Sequence, residues 1–195
     1  MINGELTKRI LSSIILLPLI FFIIVQGSFY LNVFLILCLL ISIFEWVRMV
    51  KSSILKFLGI IFLIISFIAI YKIRNLNGEY FYLLFITMIC IATDLGGFLF
   101  GKLIKGPKLT KLSPNKTYSG MIGSFVLTII LVYLFSINVF FKNTFYLTIE
   151  IIIFSVVLSA VSQIGDICIS YFKRSSKIKD TGQIIPGHGG LLDRI

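Results

Sequence analysis

Two aspartates of this chain, Asp94 and Asp166, lie inside otherwise apolar stretches. Asp94 comes eight residues before Lys102, and Asp166 comes seven residues before Lys173. At a rise of 1.5 Å per helical residue, each carboxylate would lie about 10–12 Å from the nearest following cation. Carboxylates at such a depth in a membrane cost on the order of 2.5–3.5 kcal/mol, so they usually face a cavity, a partner or an ion. A site for a ligand or ion is favoured, and a structural salt bridge to a neighbouring lysine is the alternative.

The spacing around Asp166 adds further polar groups. Ser170 and Lys173 follow it at i+4 and i+7, so a helix would carry an anion, a hydroxyl and a cation on one face. Glycines accompany both aspartates, at positions 96, 97, 101 and 165. They allow either close packing of helix backbones or the approach of a ligand phosphate to main-chain N–H groups. The spacing leaves both interpretations open.

The C-terminal stretch 172–195 concentrates cations, carboxylates, glycines and the single histidine of the chain. A polybasic tail that binds anionic lipid at about 1 kcal/mol per charge would explain its lysines. It would not explain the run Pro186-Gly187-His188-Gly189-Gly190. Such a run turns the chain and exposes consecutive backbone donors, which suits the binding of phosphate. We therefore expect this tail, including His188, to form part of a site.

A second basic loop, 101–119, carries five lysines and the run Ser113-Pro114-Asn115-Lys116-Thr117. The order of glycine, lysine and hydroxyl that marks a Walker-type loop is absent from it. Cations at the rim of a site with paired acids beneath them suit a divalent metal and a polyphosphate. The residues alone thus predict metal-assisted phosphoryl or nucleotidyl chemistry at a membrane face.

The elements that must position these residues are membrane helices. The chain has 195 residues, of which 58% are hydrophobic and 13% charged, whereas soluble domains average ~45–50% and ~25%. This excludes an ordinary water-soluble globule, a disordered protein and a disulfide scaffold. The three cysteines lie in apolar segments and are interpreted as small buried hydrophobes. We predict an all-α polytopic membrane protein with six transmembrane helices, at Ile10–Val25, Phe29–Val47, Ile54–Tyr71, Tyr80–Phe100, Gly120–Phe141 and Phe145–Ser170.

The net charge of +10 sets the predicted orientation. Of the 18 lysines and arginines, all but Lys72, Arg74 and Lys142 fall on one side of the predicted spans. This positive-inside bias places both termini in the cytosol, together with loop 101–119 and tail 172–195, and it needs no nucleic-acid partner. Residues 1–195 are predicted to be a single integral-membrane domain. Glu45, next to Trp46, is interpreted as a helix-end carboxylate beside an interfacial tryptophan.

The ordered motifs of the tail resemble the signature of the phosphatidate cytidylyltransferases, also called CDP-diglyceride synthases. They are Gln163-x-Gly165-Asp166, then Ser170-Tyr171-Phe172-Lys173-Arg174, Lys179-Asp180-x-Gly182, and Pro186-Gly187-His188-Gly189-Gly190-x-x-Asp193-Arg194. The region from Asp94 through Gly101-Lys102 to Lys116-Thr117 is similar to the second region of that family. The specific match covers about 60 residues, and the first 90 resemble the family only as hydrophobic spans.

The resemblance implies that CTP and phosphatidate react to give CDP-diacylglycerol and pyrophosphate in the lipid bilayer of a bacterial cytoplasmic membrane, with the active site facing the cytosol. It also implies Mg²⁺ held by Asp166 and Asp193, a K⁺ ion at the same centre as a further possibility, and a homodimer as the expected assembly. The catalytic residues implied are Asp166, Lys173, Arg174, Lys179, Asp180, His188 and Asp193. Substrate binding is expected at Asp94, Lys102, Ser113, Lys116, Thr117, Ser170, Gly189, Gly190 and Arg194.

Two departures from the family pattern stand out. Ser119 occupies a position where the family usually has an acidic residue, which removes one carboxylate of the usual set. The chain ends at Ile195 where the family continues with another aspartate and a hydrophobic segment, so we expect a C-terminal truncation, either a fragment or a natural one. Two other functions are weighed as alternatives. A CDP-alcohol phosphotransferase would need several aspartates within one helix, and a transporter-like component would need polar residues near the bilayer midplane.

Overall fold

The computed structural model describes residues 2–76, 80–110, 113, 116–137, 147–182, 184 and 189–193. Within these residues the chain forms six α-helices and no β-strand, which confirms the predicted all-α class. Long apolar runs become helices because a backbone in lipid must satisfy its own hydrogen bonds. The helices are α1 (Ile2–Gln26), α2 (Ser28–Met49), α3 (Ser53–Arg74), α4 (Phe81–Leu103), α5 (Tyr118–Ile137) and α6 (Ile149–Ser175).

Five of these helices, α2 to α6, are long and apolar enough to cross a membrane. Helix α1 contains the predicted first span and keeps Pro18 inside it, but its described apolar stretch, Ile14–Gln26, is shorter. Residues 138–146, where the predicted fifth span ends and the sixth begins, lie outside the described part of the chain. Helix α6 continues to Ser175, so Lys173 and Arg174 belong to its last turn. The chain is therefore a polytopic membrane protein.

The chain divides into two compact units, each of which is described by itself. The first unit comprises Met1–Leu83 and Tyr171–Ile195, and the second comprises Leu84–Ser170. The boundaries fall inside helices α4 and α6. The prediction of a single integral-membrane domain stays a prediction.

In the first unit, Arg74 at the end of α3 secures the turn between α1 and α2. Its Nε donates to the carbonyl of Ile24 at 2.6 Å and its Nη2 to that of Val25 at 3.0 Å. These carbonyls belong to the last turn of α1, which has no partners of its own for them. Gly27 makes the turn with φ +60°, and a Cβ there would lie 2.5 Å from Arg74 Nη2. The turn thus requires glycine for both conformation and space.

In the second unit, buried hydroxyls and glycines hold α4, α5 and α6 together. Thr93 Oγ1 donates to Ser159 Oγ at 2.9 Å, and Ser124 Oγ donates to the Thr93 carbonyl at 2.7 Å. A Cβ on Gly96 would lie 2.5 Å from the Gly123 carbonyl oxygen. Small and hydroxyl-bearing residues let membrane helices approach closely and bond across the contact. Close helix packing is therefore the role of Gly96, one of the two interpretations that the sequence left open.

Candidate active site

The second unit contains a pocket of about 170 Å³ between α4, α5, α6 and the loop before α5. Four residues predicted from the sequence line it: Asp94, Asp166, Lys116 and Thr117. The remaining lining residues are Thr93, Gly97, Phe98, Leu109, Gly120, Met121, Ser124 and Gln163. The structure therefore brings together both intramembrane aspartates and the end of the basic loop.

Lys116 and Asp166 form an ion pair in this pocket, with Nζ and Oδ2 2.8 Å apart. The side chain of Asp166 is 48% exposed and that of Lys116 is 27% exposed. Exposed ion pairs contribute only ~0–1 kcal/mol to stability. The salt bridge that the sequence left as an alternative is present, yet the carboxylate is also accessible to a ligand in the pocket.

Thr117 fixes the position of the loop at the start of α5. Its Oγ1 accepts from the Gly120 N–H at 3.1 Å, which satisfies a free donor of the first helical turn as an N-cap residue does. Ser119, in place of the acid usual in the resembling family, donates through its hydroxyl to the Lys105 carbonyl. The Lys116 carbonyl accepts from the Leu109 N–H at 2.7 Å. These bonds close the loop and hold Lys116 at the pocket.

Two other predicted residues of this loop lie elsewhere. The backbone N–H of Ser113 donates to Thr110 Oγ1 at 3.1 Å, so Ser113 belongs to a local turn. Lys102 Nζ lies 5.6 Å from the centre of the Phe98 ring, a cation–π arrangement. Neither is among the described residues that line the pocket. Their role in substrate binding stays a prediction.

Gln163 lines the same pocket and was not among the residues predicted for the site. Its Nε2 is fully buried and finds no hydrogen-bond acceptor within the described structure. A buried donor without an acceptor costs roughly 1–3 kcal/mol, which a ligand oxygen in the pocket would remove. The signal in the sequence was its position: Gln163 precedes Asp166 by three residues, on the same face of α6.

In the first unit, the tail is organised around the carboxylate of Asp193. Its Oδ1 accepts from Lys173 Nζ at 2.6 Å. Its Oδ2 accepts from the Thr181 N–H at 2.9 Å and from the Gly190 N–H at 3.1 Å, and it lies 3.1 Å from Thr181 Oγ1. Burial raises the pKa of Asp193, but the bonds from Lys173, Thr181 and Gly190 outweigh it and hold this pKa below its ordinary value of 3.8.

Glu45 corrects an expectation from the sequence. It lies near the end of α2, as predicted, but it is 2% exposed and its partners belong to the tail. Its oxygens accept from the N–H groups of Leu191 and Leu192, each at 2.9 Å. The neighbouring Trp46 is also buried: it donates to the Leu55 carbonyl at 3.2 Å and packs on Phe172 with ring centres 4.8 Å apart. The sequence could not show this because the partners come from a segment more than 100 residues away.

Two tail glycines are required by close contacts. A Cβ on Gly190 would lie 2.1 Å from Thr181 Oγ1 and 2.6 Å from Glu45 Oε2. Gly189 has φ +91°, and a Cβ there would lie 2.9 Å from Asp193 Oδ2. Gly189 and Gly190 therefore let the backbone close around carboxylates. Their predicted role in binding phosphate stays a prediction.

The other predicted tail residues are placed as follows. Arg174 and Lys179 are exposed, and Ser170 is half-buried on α6. Asp180 lines a cavity of about 490 Å³ in the first unit, together with Arg48 and Thr181.

His188 and Arg194 lie outside the described residues, as do Pro186 and Gly187. Within the described part of the chain, no three His, Cys, Asp or Glu side chains form one cluster.

Comparison with known proteins gives consistent results. A profile of the cytidylyltransferase family matches residues 50–195. A phosphatidate cytidylyltransferase from Rickettsia conorii is 38% identical, over 98% of this chain and 86% of the relative. That from Rickettsia bellii is 36% identical, over 98% of this chain and 85% of the relative. A Staphylococcus saprophyticus protein of the same name is 38% identical over 67% of this chain and 48% of its own length.

Proposed function

The chain belongs to the cytidylyltransferase family, and from this premise we propose that it is a membrane-embedded phosphatidate cytidylyltransferase. Such an enzyme converts CTP and phosphatidate into CDP-diacylglycerol and pyrophosphate. The observation that carries the proposal is the pocket of the second unit, where Asp94, Asp166 and Lys116 meet beside Gln163 Nε2, a donor with no acceptor among the described residues. Carboxylates, a cation and a free donor are the groups that polyphosphate chemistry needs.

The proposed reaction is an in-line displacement at phosphorus. A phosphate oxygen of phosphatidate attacks the α-phosphorus of CTP, a new P–O bond forms, and the bond from that phosphorus to the αβ-bridging oxygen breaks with its electrons. Pyrophosphate leaves. Because such reactions depend on positioning and charge neutralisation, Lys116 is assigned to a phosphate of the substrates. Gln163 Nε2 is assigned as a donor to a phosphoryl oxygen in the same pocket.

The pocket is smaller than the ~300–1,000 Å³ of sites that enclose a whole drug-sized ligand. At about 170 Å³ it accommodates part of a substrate. A phosphoryl group is the part whose charge matches Lys116 and whose oxygens match the Gln163 donor.

The residues fit a divalent cation such as Mg²⁺. Asp94 and Asp166 supply carboxylate oxygens at one pocket, and these are the ligands that Mg²⁺ prefers alongside substrate phosphates. When bound, the ion would neutralise phosphate charge. Asp193 is proposed as a further ligand on the ground of the resemblance, and K⁺ would use the same type of donor. In this conformation Asp193 Oδ1 holds Lys173, so a metal on that oxygen would replace the ammonium group.

The positive-inside bias supports a cytosolic site in a bacterial cytoplasmic membrane, and a homodimer is the proposed assembly. Accessibility labelling of a cysteine introduced at Lys51, an exposed residue between α2 and α3, in a chain without its native cysteines would report on the orientation in sealed vesicles. Crosslinking in the membrane would report on the assembly.

The activity is tested with the full-length protein in liposomes that contain phosphatidate, with Mg²⁺ and labelled CTP. We expect label in CDP-diacylglycerol and one pyrophosphate for each product. Diacylglycerol in place of phosphatidate is the matched control, because it lacks the attacking phosphate. Absence of labelled lipid above this control would overturn the proposal.

A further inference from the structure

We propose that Glu45 is a positioning residue for the transfer reaction. Its buried carboxylate on α2 holds the glycine-rich tail, and through the tail it fixes Asp193 and Lys173. This inference rests on the proposed function, because Lys173 and Asp193 have catalytic roles only through the resemblance to the phosphatidate cytidylyltransferases. Glu45 itself touches no substrate in this proposal.

The first argument is the burial of the charge. An ion in a protein interior carries a penalty of several kcal/mol unless hydrogen bonds offset it. Glu45 is 2% exposed, and its three described donors all come from the tail. They are the Leu191 N–H on Oε1, and the Leu192 N–H and Thr181 hydroxyl on Oε2, at 2.8–2.9 Å. The tail therefore supplies the donors that allow the carboxylate to be buried.

The second argument is the continuity of the contacts. Thr181 donates to Glu45 and, through its N–H, to Asp193 Oδ2 at 2.9 Å. Gly190, next to the segment that Glu45 holds, donates to the same oxygen at 3.1 Å. The other oxygen of Asp193 binds Lys173 at 2.6 Å. Thr181 and Asp193 thus connect the Glu45 carboxylate on α2 to the Lys173 ammonium group on α6.

The third argument is steric. A Cβ on Gly182 would lie 2.6 Å from Glu45 Oε1, and one on Gly190 would lie 2.6 Å from Glu45 Oε2. Both glycines abut the carboxylate, so the tail closes around Glu45 from two sides. Nearby, Ser176 Oγ donates to the Met49 carbonyl at 2.6 Å. The cytosolic end proposed for α2 is therefore shaped to receive this segment.

The test compares Glu45→Gln with Glu150→Gln, a matched change at an exposed carboxylate in the first turn of α6. Glutamine keeps the size and one acceptor oxygen, but places an NH₂ group against the donors on the other. We expect the rate of hydrogen exchange of the tail amides to rise about 10-fold, since a buried donor loses its acceptor. We expect kcat to fall by a similar factor with KM for phosphatidate nearly unchanged, as an effect confined to the transition state requires. Glu150→Gln should alter neither.

A double-mutant cycle of Glu45→Gln and Lys173→Arg separates positioning from a merely structural role. If Glu45 acts through Lys173, the two losses in kcat combine to less than their product, because contacting networks are not additive. Losses that multiply would overturn the inference, as would unchanged kcat in Glu45→Gln with a released tail. A lower kcat in Glu45→Gln with unchanged hydrogen exchange of the tail amides would also overturn it. Absence of turnover in the unaltered protein would overturn the proposed function, while tail exchange would still decide whether Glu45 holds the tail.

Discussion

The carboxylates of the tail and those of the pocket are built in opposite ways. Glu45 as a residue is 2% exposed, and the side chain of Asp193 is 5% exposed. Two backbone N–H groups donate to Glu45, three donors bind Asp193, and the single hydroxyl proton of Thr181 lies between the two carboxylates. Asp166 is 48% exposed and its described partner is one lysine. Beside it, Gln163 Nε2 is buried and has no acceptor in the part of the chain that the structure describes. Carboxylates whose oxygens already accept several hydrogen bonds hold a structure in place. An accessible carboxylate beside an unpaired donor can bind a ligand.

The strongest test of this contrast is Asp166→Asn. If the pocket performs the chemistry, loss of the charge should lower kcat at least ~100-fold, the size of effect expected when one electrostatic stabiliser is removed from a site. Tail amide exchange should not change, because Asp193 and Glu45 keep their donors. Turnover in liposomes and hydrogen exchange measure the two. Survival of activity would contradict the role assigned to Asp166.

The converse change is Gly190→Ala, which should destabilise the packing of the tail. The added methyl carbon would lie 2.1 Å from Thr181 Oγ1, and overpacking typically costs ~1–3 kcal/mol, or roughly 5–150-fold in tail protection. Gly165→Ala is the control, because its Cβ would meet no atom of the described residues within 4 Å. Equal exchange of tail amides in the two variants would show that the tail is not closely packed.

These two regions also differ in how far the sequence predicts them. Asp94 and Asp166 could be identified because a charge inside an apolar run is visible in the sequence. Lys116 could be identified from the basic loop 101–119, and it pairs with Asp166. The helices followed from the apolar runs. Glu45 was misinterpreted because its environment depends on donors at positions 181, 191 and 192. Such distant pairing leaves no local pattern, and neither does the missing acceptor of Gln163.

A smaller effect is expected from Gln163→Leu. Removing the donor should raise KM for CTP about 10-fold, as for one hydrogen bond to a charged group. The same change should raise the melting temperature without substrate, because it removes an unsatisfied buried group. Gln26→Leu, at the exposed end of α1, should leave KM unchanged. Parallel losses of stability and affinity in Gln163→Leu would contradict the assignment of an unpaired donor.

The smallest effect is expected from pH, and it should appear in the tail. The pKa of Asp193 is lower in the folded protein than its ordinary value of 3.8, so folding favours the ionised form. Its contribution to holding the tail is therefore complete above about pH 4 and is lost as the pH falls through the folded pKa. Cleavage of the tail by an acid protease, scaled to an unstructured peptide, should rise only in that acidic range. In Asp193→Asn the cleavage should be high throughout, and a pH-independent profile in the unaltered protein would show that ionised Asp193 does not hold the tail.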